Sequence, residues 1–133
     1  MSDVLKFSIP GKPEYVQMVR LAIASIAGKA NFDVDAVEDI KAAVAEACKI
    51  VFCHGFEGFS TRYEIICEIE EESMTITASD ACSGHDLVKS NKPCDKCPDE
   101  GNLSVAVMET LMDSVKIDID ADGNKNIIMV KNK

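Results

Sequence analysis

Two groups of residues in this sequence have types and spacings that could do chemistry. The first contains Glu46, which stands in the apolar run "VAEACKIVFCHGF" (residues 44–56). Apolar residues three and four positions apart indicate that this run is helical. A carboxylate on such a helix can serve as a general base, or it can be a solvated surface charge. Ile50 follows one helical turn later on the same face, and its aliphatic side chain offers no oxygen to a hard cation.

The second group lies in residues 80–99, which have no apolar period and are predicted to form a lid-like loop. Cys82 and His85 are three positions apart, and so are Cys94 and Cys97. Two such pairs can bring four ligands to a zinc ion. The alternatives are ordinary loop thiols with a surface histidine, or a redox pair formed by the last two cysteines. The redox pair is less favoured because the neighbouring aspartate opposes formation of a thiolate.

Alternating periods along the chain predict an α+β fold. Apolar residues alternate every second position in five expected strands, which are 4–9, 61–70, 74–79 and the two arms of a hairpin that turns at Asp122–Gly123. They recur three or four apart in three expected helices, which are about 13–29, 35–54 and 100–113. The order of these elements predicts one domain over residues 1–133. It is a two-layer sandwich in which three helices cover one face of a mixed, mostly antiparallel sheet.

The second helix is expected to begin at an aspartate cap. Asp33 and Asp35 both precede its first apolar residues, and Glu38 follows Asp35 by three positions, as in a capping box. The sequence alone leaves the choice between the two caps open.

Composition limits the partners of this chain. Fourteen Lys and Arg residues stand against 23 Asp and Glu residues, which gives a formal net charge of -9, and the basic residues are scattered. No nucleic-acid partner is expected, because phosphate binding needs a basic face. The sequence has no secretory leader and no stretch of about 18 uncharged apolar residues, so we expect a soluble cytoplasmic protein without a membrane partner.

The six cysteines are expected to be reduced thiols, because nothing in the chain suggests export to an oxidising compartment. Cys48, Cys53 and Cys67 fall in predicted helical or strand segments and are expected to be small core residues.

Three segments carry a family resemblance: "PEYVQMVRLAIASIA", "VEDIKAAVAEAC" and "VMETLMDSVKID". Together they resemble the anti-sigma factor serine kinases of Gram-positive stress and sporulation pathways. These kinases share an ATPase superfamily with gyrase, Hsp90, histidine kinases and MutL. The resemblance runs from about residue 5 to the end, and it implies a histidine-kinase-like ATPase fold. Intact members bind ATP with magnesium, inhibit a sigma factor and phosphorylate an anti-anti-sigma protein on serine; they are commonly dimers, so a homodimer is an expectation.

The resemblance assigns roles to residues of the expected nucleotide site. Glu46 matches the catalytic glutamate, whereas Ile50 occupies the position of the asparagine that helps to hold magnesium. Asp80 matches the aspartate that recognises adenine. Gly84 matches the second glycine of that motif, but Cys82 replaces the first.

The phosphate lid and the partner surface are assigned in the same way. Gly101 is kept in the lid motif, while Asn102 and Ser104 stand where its two spaced glycines would align. Side chains at these positions leave less room for backbone amides to approach phosphates. Arg20 falls on the first helix, which family members use at the partner surface; the alternative is a solvated arginine.

These departures predict an anti-sigma factor-like protein that binds a sigma factor, an anti-anti-sigma partner or both, with an impaired ATP site. The first alternative is an active serine kinase in which another residue holds magnesium. The second is a small zinc-binding or redox-sensing module built on the loop pairs. Whether the protein is an enzyme is left open by the sequence.

Overall fold

A computed structural model describes residues 3–10, 13–53, 62–79, 105–119 and 125–133. The elements in chain order are β1 (Asp3–Pro10), a 3-10 turn (Pro13–Tyr15), α1 (Val16–Lys29), α2 (Val34–Cys53), β2 (Arg62–Ile69), β3 (Ser73–Ser79), α3 (105–111), β4 (Ser114–Ile119) and β5 (Lys125–Asn132). Five strands and three helices were expected from the apolar periods, and this expectation is confirmed. Among the described residues, no helix is both long and apolar enough to cross a bilayer.

The five strands form one sheet in the order β1-β2-β3-β5-β4. All four described strand pairings are antiparallel. The expected sheet was mixed but mostly antiparallel. β5 lies between β3 and β4 and is antiparallel to both. β3 and β4 therefore run in the same direction. The β2–β3 hairpin closes tightly, with the Glu70 amide donating to the Ser73 carbonyl over 2.9 Å.

One face of the sheet is apolar because side chains alternate along each strand. Two rows of side chains cross all five strands on this face, as the strand registers show. The rows are Phe7, Ile65, Ala78, Ile127 and Ile117, and Leu5, Cys67, Ile76, Met129 and Val115. α2 packs on β3 and β5, and α1 packs on α2. The buried side chains of the helices and of these rows form one core cluster. The predicted two-layer sandwich is therefore confirmed.

The turn between α1 and α2 is tightly bonded at both helix ends. Asn31 has a positive φ of 70°, and its amide donates to the Gly28 carbonyl over 3.2 Å. The Phe32 amide donates to the Ala27 carbonyl over 3.2 Å, which completes a Schellman motif. Asp33 then caps α2, since its Oδ1 accepts the Ala36 amide over 2.8 Å. The structure thus selects Asp33 over Asp35.

Glu38 does not complete a capping box with this cap. It stands five residues after Asp33 rather than three, and its carboxylate lies 3.5 Å from the Lys41 ammonium. The capping-box interpretation, which required Asp35 as the cap, is therefore wrong.

Two thiols are buried in the core. Cys48 of α2 and Cys67 of β2 are both inaccessible to solvent and free of disulfide bonds. Burial raises the pKa of each thiol from 9.0 to about 12. Neither thiol can serve as a nucleophile near neutral pH, because the thiolate is the reactive form. The prediction of small core residues is confirmed for these two, and the Cys53 side chain lies outside the described residues.

The first prediction concerns the α2 cap. Asp33→Ala should lower the free energy of unfolding by about 1 kcal/mol, because an amide of the first helical turn loses its acceptor. Asp33→Asn keeps an acceptor oxygen and should cost much less. Urea unfolding followed by circular dichroism measures both variants. A larger loss for Asp35→Ala than for Asp33→Ala would show that the cap is assigned to the wrong residue.

The second prediction concerns alkaline pH. Between about pH 9 and pH 12 the folded protein keeps the protons of Cys48 and Cys67, whereas the unfolded chain loses them. The free energy of unfolding should therefore fall as pH rises above 9, by about 1.4 kcal/mol per pH unit for each thiol. Urea unfolding under reducing conditions at several pH values gives the slope. The variant Cys48→Ala/Cys67→Ala should have a shallower slope, and an unchanged slope would contradict the assignment.

Candidate functional site on helix α2

Glu46 lies on a flank of α2 away from the main core contact. Ala43, Val44 and Ala47 are buried beneath the helix, whereas Glu46 is half-buried. Because α2 continues to Cys53, the backbone of Ile50 lies one helical turn beyond Glu46 on the same flank. The Ile50 side chain lies outside the described residues. The backbone therefore places Glu46 and Ile50 one helical turn apart on one continuous helix, as expected.

The direction of this flank can be read from Asp39, two helical turns before Glu46. Residues seven apart on a helix point in nearly the same direction. The Asp39 carboxylate lies 3.5 Å from the Lys131 ammonium, and the same ammonium donates to the Leu111 carbonyl over 2.6 Å. Leu111 is the last residue of α3. The flank of α2 that carries Asp39 and Glu46 therefore faces the side on which α3 lies.

The remaining expected nucleotide and metal residues lie outside the described residues. They are Asp80, Cys82, Gly84, His85, Cys94, Cys97, Gly101, Asn102 and Ser104. The structure describes the elements on either side of them, namely the end of β3 at Ser79 and the start of α3 at 105. The Ser79 hydroxyl donates to Asn126 Oδ1 over 2.5 Å. This bond joins the last residue of β3 to the beginning of β5, on the sheet face opposite the helices. Within the described ranges no group of three or more acidic, histidine or cysteine side chains is arranged to hold a metal ion.

Arg20 lies on α1 and is half-buried. One of its terminal nitrogens donates to Gln17 Oε1 over 3.2 Å. Its Nε is buried and has no hydrogen-bond partner in the part of the chain that the structure describes. Burial of this atom is unlike a fully solvated arginine, but it identifies no partner.

A cleft of about 390 Å³ lies between the α1–α2 turn and the end of β5. Carboxylates of Asp33, Asp35 and Asp39 and ammonium groups of Lys131 and Lys133 line it. The Lys133 ammonium lies 5.6 Å from the centre of the Phe32 ring. Sequence reasoning missed this cleft; its one local signal was the three aspartates in the first turns of α2.

The cleft is distinct from the expected nucleotide site. Asn132, which lines it, pairs with Ser73 at the first residue of β3, whereas Asp80 follows the last residue of that strand. Glu46 lies about 10 Å along α2 beyond Asp39, which also lines the cleft, at 1.5 Å per residue. The cleft therefore lies beside the start of α2, and the expected chemistry at Glu46 lies further along the same helix.

Comparison with known proteins places most of this chain in one family. The Histidine kinase-like ATPase domain family matches residues 9–131 of this chain. Serine-protein kinase RsbW of Bacillus licheniformis is 32% identical over 130 aligned positions, which cover 90% of this chain and 81% of that protein. RsbW of Listeria monocytogenes serovar 1/2a is 35% identical over 141 positions, which cover 98% of this chain and 88% of that protein. RsbW of Bacillus cereus is 32% identical over 124 positions, which cover 86% and 77%.

The match extends from the end of β1 to the end of β5 and contains the complete helix that carries Glu46. The antiparallel sheet of this chain, covered by helices on one face, agrees with the fold that the sequence motifs implied. The chain therefore belongs to the histidine kinase-like ATPase domain family, within the group of the anti-sigma serine-protein kinases.

Proposed function

We propose that this protein is an anti-sigma regulatory factor whose work is protein binding and whose ATP site is impaired. Its partners are a sigma factor, an anti-anti-sigma protein or both, as the family resemblance implies. The observation that carries the proposal is Ile50, one helical turn beyond Glu46 on the continuous helix α2.

The physical argument rests on what phosphoryl transfer requires. The reaction depends mainly on positioning and on stabilisation of phosphate charge by magnesium and its ligands. Magnesium takes oxygen ligands in a nearly octahedral arrangement, and an isoleucine has no oxygen to offer. Because helix geometry fixes the spacing from Glu46, a neighbouring residue of α2 cannot replace this ligand without facing another direction.

The rest of the expected site is proposed from the resemblance. Asp80 is assigned to the adenine amino group, with Gly84 and Gly101 as retained backbone positions. Cys82, Asn102 and Ser104 add side chains where the family uses glycine, which further reduces access for a nucleotide. Arg20 is assigned to the partner surface.

An active serine kinase is the second candidate. It is favoured by the names of the relatives, which are serine-protein kinases at 32% and 35% identity, and by the retention of Glu46. This candidate requires that an oxygen ligand other than residue 50 holds magnesium. Nucleotide affinity separates the two candidates.

The third prediction is that a non-hydrolysable ATP analogue with magnesium binds weakly or not at all. The lost metal ligand and the altered lid remove charged contacts that are worth roughly 1.5 to 3 kcal/mol each. Isothermal titration calorimetry measures the affinity. A Kd in the micromolar range would overturn the impaired-site proposal and favour the active kinase.

The control for this prediction is a pair of variants at one position. Ile50→Asn should strengthen nucleotide binding only when magnesium is present, because it restores an oxygen one turn beyond Glu46. Ile50→Leu changes the side chain without adding an oxygen and should bind like the parent protein. Equal affinities for all three proteins would show that residue 50 is not what limits nucleotide binding.

The fourth prediction addresses the zinc-binding alternative. Protein purified without chelator should contain no stoichiometric zinc, and EDTA should leave the far-ultraviolet circular dichroism unchanged, because the core described above needs no metal. Elemental analysis measures the metal. One zinc ion per chain that disappears in Cys94→Ser/Cys97→Ser would support the zinc-binding module instead.

A further inference from the structure

β4 forms one edge of the sheet and carries two exposed charges. Its neighbour β5 pairs along one side, and no described strand lies on the other. Lys116 and Asp118 belong to the sheet face opposite the helices and lie 3.7 Å apart. Across the strand pair they stand opposite Ile128 and Asn126, which are uncharged. The free edge is therefore the side from which a further strand could place charges opposite both residues.

The helix-facing residues of β4 are incompletely covered. Val115 and Ile117 pack against the buried core but remain partly exposed. Because side chains alternate along a strand, β4 has an apolar helix-facing side and a charged opposite side. A strand edge also presents unpaired backbone N–H and C=O groups, which can hydrogen-bond to another strand. The β4 edge thus offers backbone, apolar and charged contacts along one line.

The sequence of β4 is complementary to itself about Ile117. If two β4 strands pair antiparallel about a twofold axis at Ile117, Lys116 of each copy stands opposite Asp118 of the other. Ile117 then stands opposite its own counterpart on the helix-facing side. Moving the axis by one residue would place Lys116 opposite Lys116, or Asp118 opposite Asp118, and like charges directly opposite are destabilising. Charge therefore selects one register.

The other edge of the sheet lacks this property. β1 carries Lys6 on the face opposite the helices and Asp3 on the helix-facing side, since they are three positions apart. An antiparallel pair about a twofold axis places residues of the same face opposite each other, so Lys6 cannot meet Asp3. β1 also ends at Pro10, which has no N–H to donate. β4 is therefore the edge whose charges fit a second copy.

We propose that the β4 edge is an interaction surface for a second copy of this chain. The two β4 strands pair antiparallel about Ile117 and join the two five-stranded sheets into one, with the helices of both copies on the same side. Two Lys116–Asp118 pairs form between the copies on the opposite side. The proposal goes beyond the proposed function, since it requires neither a nucleotide nor a sigma factor.

Charge variants of the full chain test this pairing. Lys116→Asp and Asp118→Lys each put like charges opposite one another twice, and each should raise the dimer dissociation constant roughly tenfold or more. Lys116→Asp/Asp118→Lys exchanges the charges, keeps every pair opposite in sign and should restore the parent constant. Sedimentation velocity over a range of protein concentrations measures all four proteins, and circular dichroism checks that each is folded.

A mixture of the two single variants provides a further test. Each single variant repels itself, but Lys116→Asp presents two acidic side chains and Asp118→Lys presents two basic ones, so the mixture should form heterodimers. Lys6→Asp, on the β1 edge, is the matched control and should leave the dissociation constant unchanged. A monomeric parent protein, a dimer insensitive to both single variants, or a loss that neither the double variant nor the mixture restores would overturn the proposal.

Hydrogen exchange gives a readout that does not depend on charge. In the parent protein, amides within residues 114–119 should exchange more slowly at protein concentrations above the dimer dissociation constant than below it, because pairing covers the edge of β4. Residues 3–10, on the other edge, are the internal control and should exchange equally at both concentrations. Equal rates within residues 114–119 would show that the copies do not meet at β4.

Discussion

A strand can bury only one of its two faces against a layer of helices, and β3 shows this constraint without exception. Met74, Ile76 and Ala78 are buried, and the residues between them are partly exposed. A slip of one residue in its pairing with β2 or β5 would turn all three to the opposite face. The register of β3 therefore determines which side of the sheet α2 covers.

The alternation of side chains along β5 also places one charged residue on the sheet face that the helices cover. Lys131 follows Met129 by two residues, so it belongs to the helix-facing side of β5 although it is charged. Its ammonium is stable there because it donates hydrogen bonds to the Leu111 carbonyl and to the Asp39 carboxylate. A buried amine without such partners would cost several kcal/mol, roughly as for other isolated buried charges. One residue of β5 thus joins the end of α3 to the flank of α2.

Features that depend on local sequence were predicted well. The strands at 62–69 and 73–79 and the helix ends near Lys29 and Val34 follow from apolar period and turn chemistry, which act over a few residues. The sequence left the choice between Asp33 and Asp35 open, and it is made by the Schellman motif at Asn31 and Phe32, which sets where α2 starts and has no glycine to signal it. The insertion of β5 between β3 and β4 and the cleft beside Phe32 depend on contacts between distant segments. At the candidate site, the apolar period was enough to place Glu46 on a helix, but the direction in which that flank faces is indicated only by the contact of Asp39 with Lys131.

The position of β5 has a consequence for how the chain is made. β3 and β4 are synthesised before the strand that separates them, so neither has its β5 neighbour while residues 125–132 are still inside the ribosome. Until then β3 presents an unpaired edge, and α3 lacks the Lys131 bond at its end. Pairing between segments so far apart in the chain is slow, and open strand edges favour aggregation. Translation must therefore reach β5 before the sheet can close, and β3 and β4 stay incompletely paired during that interval.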